Sequence, residues 1–210
     1  MLKIGVMPSS FRIPFKDAAL RARDMGAKGL QPYVTEGELA PENLTADDRR
    51  DLLRFVRDCG LTFSALCADF GMDFSDYGNN AADIKRTMSM MDLARDLDTH
   101  VITTHIGHVP DDPESTEYKN ICRSIEELGK YGDSIGVCFA TETGPESAVK
   151  LRGILERVDT KSAKVNLDPA NFVMLCGQDP VEAVHVLKDY IVHTHAKDGI
   201  KTGETTYQEL

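Results

Sequence analysis

The chain has 210 residues, 41% of them hydrophobic and 28% charged, an ordinary composition for a folded globular protein with one sizeable core. Its formal charge of -10, with no cluster of Lys and Arg, argues against unassisted binding of nucleic acid, because neutralising phosphates needs concentrated positive charge. No segment approaches the roughly 20 apolar residues that span a bilayer, so the expected partner is a small molecule, with neither nucleic acid nor membrane involved.

The opening segment, Met1 to Met7, carries a short apolar run without a basic region or a cleavage site, so it reads as a first strand and the protein as cytoplasmic. That strand begins near Lys3 (KIGVM). Further strand-like runs begin near Gly29 (GLQPYV), Thr62 (TFSALCA), His100 (HVITTHIG), Gly136 (GVCFATETG), Ala163 (AKVNLD) and Ile191 (IVHTHAKD). Helix-length amphipathic segments lie between them. Thr45 with Asp48 resembles a capping box, Gly60 follows the same helix, and Asp179-Pro180 suits an N-cap followed by a first-turn proline. Apolar residues recur at helical spacing: Leu52, Val56 and Cys59; Ile84, Met88 and Met91; Ile121, Ile125 and Leu128; Leu151, Ile154 and Val158. These stripes, and the Met88, Met90 and Met91 group, are predicted to be core. The five cysteines (Cys59, Cys67, Cys122, Cys138 and Cys176) show no C-x-x-C spacing and read as reduced, mostly interior thiols.

Strict alternation of strand and helix predicts a parallel sheet with right-handed crossovers, and this many units favours a closed barrel over an open doubly wound sheet. No G-x-G-x-x-G or P-loop follows any strand, which removes the usual nucleotide signature. The expected fold is therefore α/β, a (β/α)8 TIM barrel forming a single domain over residues 1–210. Its eighth strand is not found before Leu210. Either the protein continues further, or an open seam is left between the first and seventh strands, which would favour a homo-oligomer.

Functional groups of parallel barrels sit at the C-terminal ends of strands. The fourth run ends in His105-Ile106-Gly107-His108, the fifth in Glu142-Thr143-Gly144, the sixth in Asp168-Pro169-Ala170-Asn171 and the seventh in His193-Thr194-His195-Ala196-Lys197-Asp198. The steps from Glu142 to Asp168 and from Asp168 to His195 are each one strand-helix unit long, so the three groups arrive at one rim. A lone carboxylate at such a position is more often structural than a ligand. Two carboxylates and an imidazole in phase are better explained by one divalent ion, which relieves their repulsion. The donor set suits Mn²⁺ foremost, with Mg²⁺, Co²⁺ or Zn²⁺ as alternatives. His105 is a candidate for contacting substrate. Lys197 could polarise a substrate oxygen, bind a phosphate or pair with Asp198. His193 falls on the same face as His195, either beside the ligands or packed in the barrel. His108 could contact substrate or sit on its loop, while His100 and His185 read as structural or solvent-facing.

The segments THIG at 104–107, TETG at 141–144, NLDPAN at 166–171 and HTHAKD at 193–198, in this order and spacing, resemble the xylose-isomerase-like sugar isomerases and epimerases. The same group of barrels includes inosose dehydratases, hydroxypyruvate isomerases and the endonuclease IV type of repair nuclease. The resemblance implies metal ligands at Glu142, Asp168 and His195, a fourth ligand from a glutamate at the end of strand eight that is not found in this chain, and Glu142 as both ligand and base. It implies a keto-sugar or sugar-phosphate substrate isomerised through an enediolate. Two alternatives are an inosose-type dehydratase and a non-catalytic sugar-binding barrel. The endonuclease branch carries a histidine three positions after the counterpart of Asp168, where this chain has Asn171, and no downstream Asp-x-His pair follows.

Overall fold

The computed structural model describes residues 3–203 and 206–210, so the Met1-Leu2 part of the expected first strand lies outside the described residues. Eight short parallel strands line the interior: β1 (Gly5–Val6), β2 (Gly29–Leu30), β3 (Thr62–Phe63), β4 (Leu66–Cys67), β5 (Val101–Thr104), β6 (Cys138–Glu142), β7 (Ala163–Leu167) and β8 (Ile191–Thr194). They fill seven barrel positions, because β3 and β4 are two halves of the third expected strand. The first half pairs with β2 and the second with β5. Pro32 gives a physical reason: it has no N–H to extend the β2 ladder, so the expected GLQPYV strand ends as regular structure at Leu30. The wall nevertheless remains joined there, since Ser64 N donates to Leu30 O at 2.9 Å and Cys67 N donates to Pro32 O at 2.9 Å.

The main helices are α1 (Phe15–Asp24), α2 (Ala46–Asp58), α3 (Ala81–Asp96), α4 (Thr116–Ile135) and α5 (Ala148–Leu155), followed by the one-turn α6 (Pro169–Asn171) and α7 (Pro180–Leu187). Their ends follow the local sequence. The Thr45 hydroxyl accepts from Asp48 N while the Asp48 carboxylate accepts from Thr45 N, a reciprocal cap on α2. Gly60 ends that segment at φ +72°, in the left-handed region that favours glycine. Asp179 accepts from Val181 N at the start of α7.

The expected stripes form the core: Leu52, Val56, Ile84, Met91, Ile121, Ile125, Leu128, Leu151 and Ile154 are all buried. Met88 departs from expectation. It is only partly buried and packs against the cluster from outside, while Met90 and Met91 are fully enclosed. Cys59 and Cys67 are buried, Cys122, Cys138 and Cys176 are half-buried, and all five are free thiols.

Beyond β8 the chain turns into an antiparallel hairpin, β9 (Gly199–Lys201) with β10 (Tyr207–Glu209). Among the described residues β1 pairs only with β2 and β8 only with β7, so the TIM barrel is open along one seam. The effect is visible on the last strand. Ile191, His193, His195 and Lys197 face inward and are half-buried, whereas Val192, Thr194, Ala196 and Asp198 alternate with them and are exposed. Among the described residues no helix is long and apolar enough to cross a membrane.

Candidate metal centre

Parallel strands release their C-terminal residues at one end of the barrel. Glu142 is the last residue of β6, Asp168 follows β7 and His195 follows β8. One ligand atom from each lies within 4.8 Å of the other two. His195 Nδ1 stands 3.1 Å from Glu142 Oε1 and 3.4 Å from Asp168 Oδ2. The expected convergence is therefore present, on the wall of a cavity of about 1030 Å³ that runs along the open seam.

Asp168 is 1% exposed and Glu142 is 7% exposed. Carboxylates so withdrawn from water repel one another unless positive charge lies between them. Burial by itself disfavours the His195 imidazolium, but the hydrogen bonds and charges of Asp168 and Glu142 outweigh it and lift the ring to about 9. Burial likewise pushes Asp168 up, and is outweighed by His195, the Asn171 N–H and Lys197, which hold it below the usual carboxylate range. The site thus recruits a proton to the point where its donors meet. A divalent cation fits the same point, since two carboxylate oxygens and one imidazole nitrogen are a donor set for a hard or borderline ion.

The loops after Glu142 and Asp168 are clamped to one another. Asp168 N donates to Thr143 Oγ1 at 2.8 Å, and that hydroxyl donates to Asp168 O at 3.0 Å. Asn171 N donates to Asp168 Oδ1 at 3.1 Å, while the Asn171 amide donates to Thr143 O at 2.8 Å. Asp168 keeps Oδ2 toward His195 because Oδ1 is engaged as the cap of α6. Asn171 occupies the position where the repair-nuclease branch would carry a histidine, and its amide is committed to this clamp.

The two expected substrate contacts lie on either side. His105 follows β5, and its Nε2 is 3.8 Å from Glu142 Oε1. Its Nδ1 is 2.7 Å from Asp69 Oδ2; this hydrogen bond is the main cause of a raised His105 pKa and of a lowered Asp69 pKa. Lys197 does not pair with its neighbour Asp198, because the alternation of the chain after β8 sends the two side chains to opposite faces. Lys197 Nζ instead reaches Glu209 at 2.9 Å, Asn171 Oδ1 at 3.3 Å and Asp168 Oδ2 at 3.8 Å. His193 Nδ1 donates to Asn166 Oδ1 at 2.8 Å, and burial followed by the charge of His195 pushes it down to about 4. It is therefore a neutral ring beside His195. His100, His108 and His185 are exposed.

The strand-end candidates leave out three residues of this rim. Asp69 stands two positions after β4 and was open to the same rule as Glu142. Gln31 follows β2 directly and reaches His195 Nε2 at 3.0 Å. Glu146 is 3% exposed and accepts from Gly144 N at 3.3 Å, and its Oε2 has no hydrogen-bond partner among the described residues. Burial lifts it to about 7.

The family model described as Xylose isomerase-like TIM barrel matches residues 19–206. No curated protein sequence matches the chain. Among solved structures, a xylose isomerase domain protein from Planctomyces limnophilus is 19% identical with a TM-score of 0.85, over 100% of this chain and 79% of that one. D-psicose 3-epimerase from Clostridium cellulolyticum H10, solved with D-tagatose, is 16% identical with a TM-score of 0.76, over 92% of this chain and 72% of that one. A xylose isomerase-like TIM barrel protein from Mycobacterium smegmatis in complex with magnesium is 18% identical with a TM-score of 0.76, over 100% of this chain and 81% of that one.

Proposed function

Because this chain belongs to the xylose isomerase-like TIM barrel family, we propose that it is a divalent-metal-dependent isomerase or epimerase of a small keto sugar or sugar phosphate. The observation that carries the proposal is the meeting of Glu142, Asp168 and His195 within 4.8 Å on the wall of an open cavity. Likeness to an epimerase solved with D-tagatose and to a barrel solved with magnesium supports the reading.

A bound divalent cation, Mn²⁺ foremost, would stabilise the negative charge that develops on a substrate oxygen as a neighbouring carbon loses its proton. Glu142 is the base: its carboxylate takes the proton from the carbon beside the carbonyl to give the enediolate and, for isomerisation, delivers it to the former carbonyl carbon, whereas epimerisation needs a second acid on the opposite face. Asp168 and His195 hold the ion with it. His105, fixed from behind by Asp69, contacts a substrate hydroxyl near Glu142. Lys197 contacts a substrate oxygen or phosphate from the far side of Asp168, where its ammonium already faces Asn171 and Asp168.

The Asp69–His105 pair gives a second reading its specific support. A histidine held by a carboxylate can also protonate a leaving hydroxyl, as a dehydratase requires. One experiment addresses both: Mn²⁺-loaded protein is incubated in D₂O with a panel of keto sugars, their phosphates and keto-inositols, and followed by proton NMR. Deuterium entering beside the carbonyl, with a new sugar isomer, is expected. Exchange with loss of water moves the protein to the dehydratases, and no exchange with any member of the panel sinks both readings.

A further inference from the structure

Metal-ligating histidines need one ring nitrogen free for the ion, and the group hydrogen-bonded to the other nitrogen decides which one that is. In this chain that group comes from the opposite side of the barrel. Gln31, 3% exposed at the end of β2, carries its Oε1 to 3.0 Å from His195 Nε2 and its Nε2 to 2.9 Å from Thr103 Oγ1. Thr103 is completely buried on β5. The amide is thereby oriented: Gln31 Nε2–H donates to the Thr103 hydroxyl, which leaves the Gln31 carbonyl oxygen as an acceptor facing the imidazole.

We infer that Gln31 is a positioning residue, which accepts the Nε2–H of His195 and so turns Nδ1 toward Glu142 and Asp168, where it can exchange its own proton for an ion. The opposite arrangement would set an unprotonated Nε2 lone pair against the Gln31 oxygen at 3.0 Å. The Asn166 amide nitrogen, 3.3 Å from Nε2, is the more distant neighbour, and the 2.8 Å bond from His193 engages only the Asn166 oxygen. With Gln31 and Thr103 both closed to solvent, water cannot readily replace the lost acceptor. The consequence for metal binding rests on the function proposed above, whereas the ring orientation does not.

The test separates the two. The protein is labelled with ¹⁵N-histidine, and the imidazole N–H resonances are recorded without metal, with His195 identified by its loss in His195→Asn. Mn²⁺ affinity is measured by titration calorimetry on the same samples. A slowly exchanging His195 Nε2–H is expected in the wild type and in Gln31→Glu, which keeps an acceptor, but not in Gln31→Met. Mn²⁺ affinity should fall roughly 10- to 100-fold in Gln31→Met and stay within about threefold in Gln31→Glu. Thr103→Val, which frees the amide without shortening it, should weaken binding in the same direction. If Gln31→Met keeps the protected N–H, or binds Mn²⁺ as the wild type does, the inference is overturned. A wild type that binds no Mn²⁺ yet shows the Gln31-dependent resonance supports the ring assignment and overturns the metal reading instead.

Discussion

Asp69 and His105 are joined by a 2.7 Å hydrogen bond that fixes one face of the ring, so that the opposite nitrogen is presented 3.8 Å from Glu142. The pair spans the ends of β4 and β5, one barrel position away from the proposed ligands. A histidine oriented by a half-buried carboxylate is ready to meet substrate without losing further rotamer freedom. Replacing Asp69 with Asn should therefore lower kcat/KM by about 10-fold or more. His105→Ala should lower it further, with Mn²⁺ affinity unchanged in both. Steady-state kinetics beside calorimetry checks this, and a parallel loss of metal affinity would place His105 among the ligands.

Asp168→Asn should weaken Mn²⁺ binding at neutral pH by at least about 10-fold, because it removes a negative charge from a donor pair that only a cation can fully neutralise. Glu142→Gln should abolish deuterium exchange. Circular dichroism should stay close to wild type for both, while Asp168→Asn should lower the melting temperature at neutral pH somewhat, because the fold favours the ionised Asp168 carboxylate. Wild-type metal affinity in Asp168→Asn would exclude the proposed ligand set.

Glu146 provides a pH signature of stability. Burial raises its carboxyl from 4.5 to about 7 in the folded chain, so between those values the folded state holds a proton that the unfolded chain releases. This contribution to stability is fully present below about pH 4.5 and is lost as pH rises through about 7. Glu146→Gln should consequently be more stable than wild type at pH 8, by up to roughly 3 kcal/mol, with the advantage vanishing near pH 4.5. Denaturant melts of the two proteins across this range would show a constant difference if the carboxyl were not displaced.

Gly132 lies on α4 where the helix crosses the start of the sheet. A Cβ there would run into the Val137 carbonyl oxygen, and would approach Ser162 Cβ at 2.9 Å and Met91 Cε at 3.0 Å. The Met91 terminus can shift, but the Val137 backbone cannot without moving β6. Gly132→Ala should thus cost about 1–3 kcal/mol despite the better helix propensity of alanine. A melting temperature equal to or above wild type would mean that α4 can lift away from the sheet.

The sequence by itself determined what depends on neighbours along the chain. Helical stripes such as Ile121, Ile125 and Leu128 are buried as their spacing requires, the caps at Thr45 and Asp179 form locally, and the strand-helix period delivers Glu142, Asp168 and His195 to one rim. Tertiary structure decided whatever joins distant strands. Gln31 and His195 are 164 positions apart and meet only because the barrel curves β2 toward β8. Asp69 selects His105 from 36 positions away, and Lys197 takes Glu209 on the returning hairpin in place of the adjacent Asp198. The break between β3 and β4 likewise depends on which neighbour each half can pair with. Periodicity fixes which face a side chain occupies, while strand register and barrel curvature fix whom it meets, and a buried polar group must satisfy its hydrogen bonds with the partners that this geometry supplies.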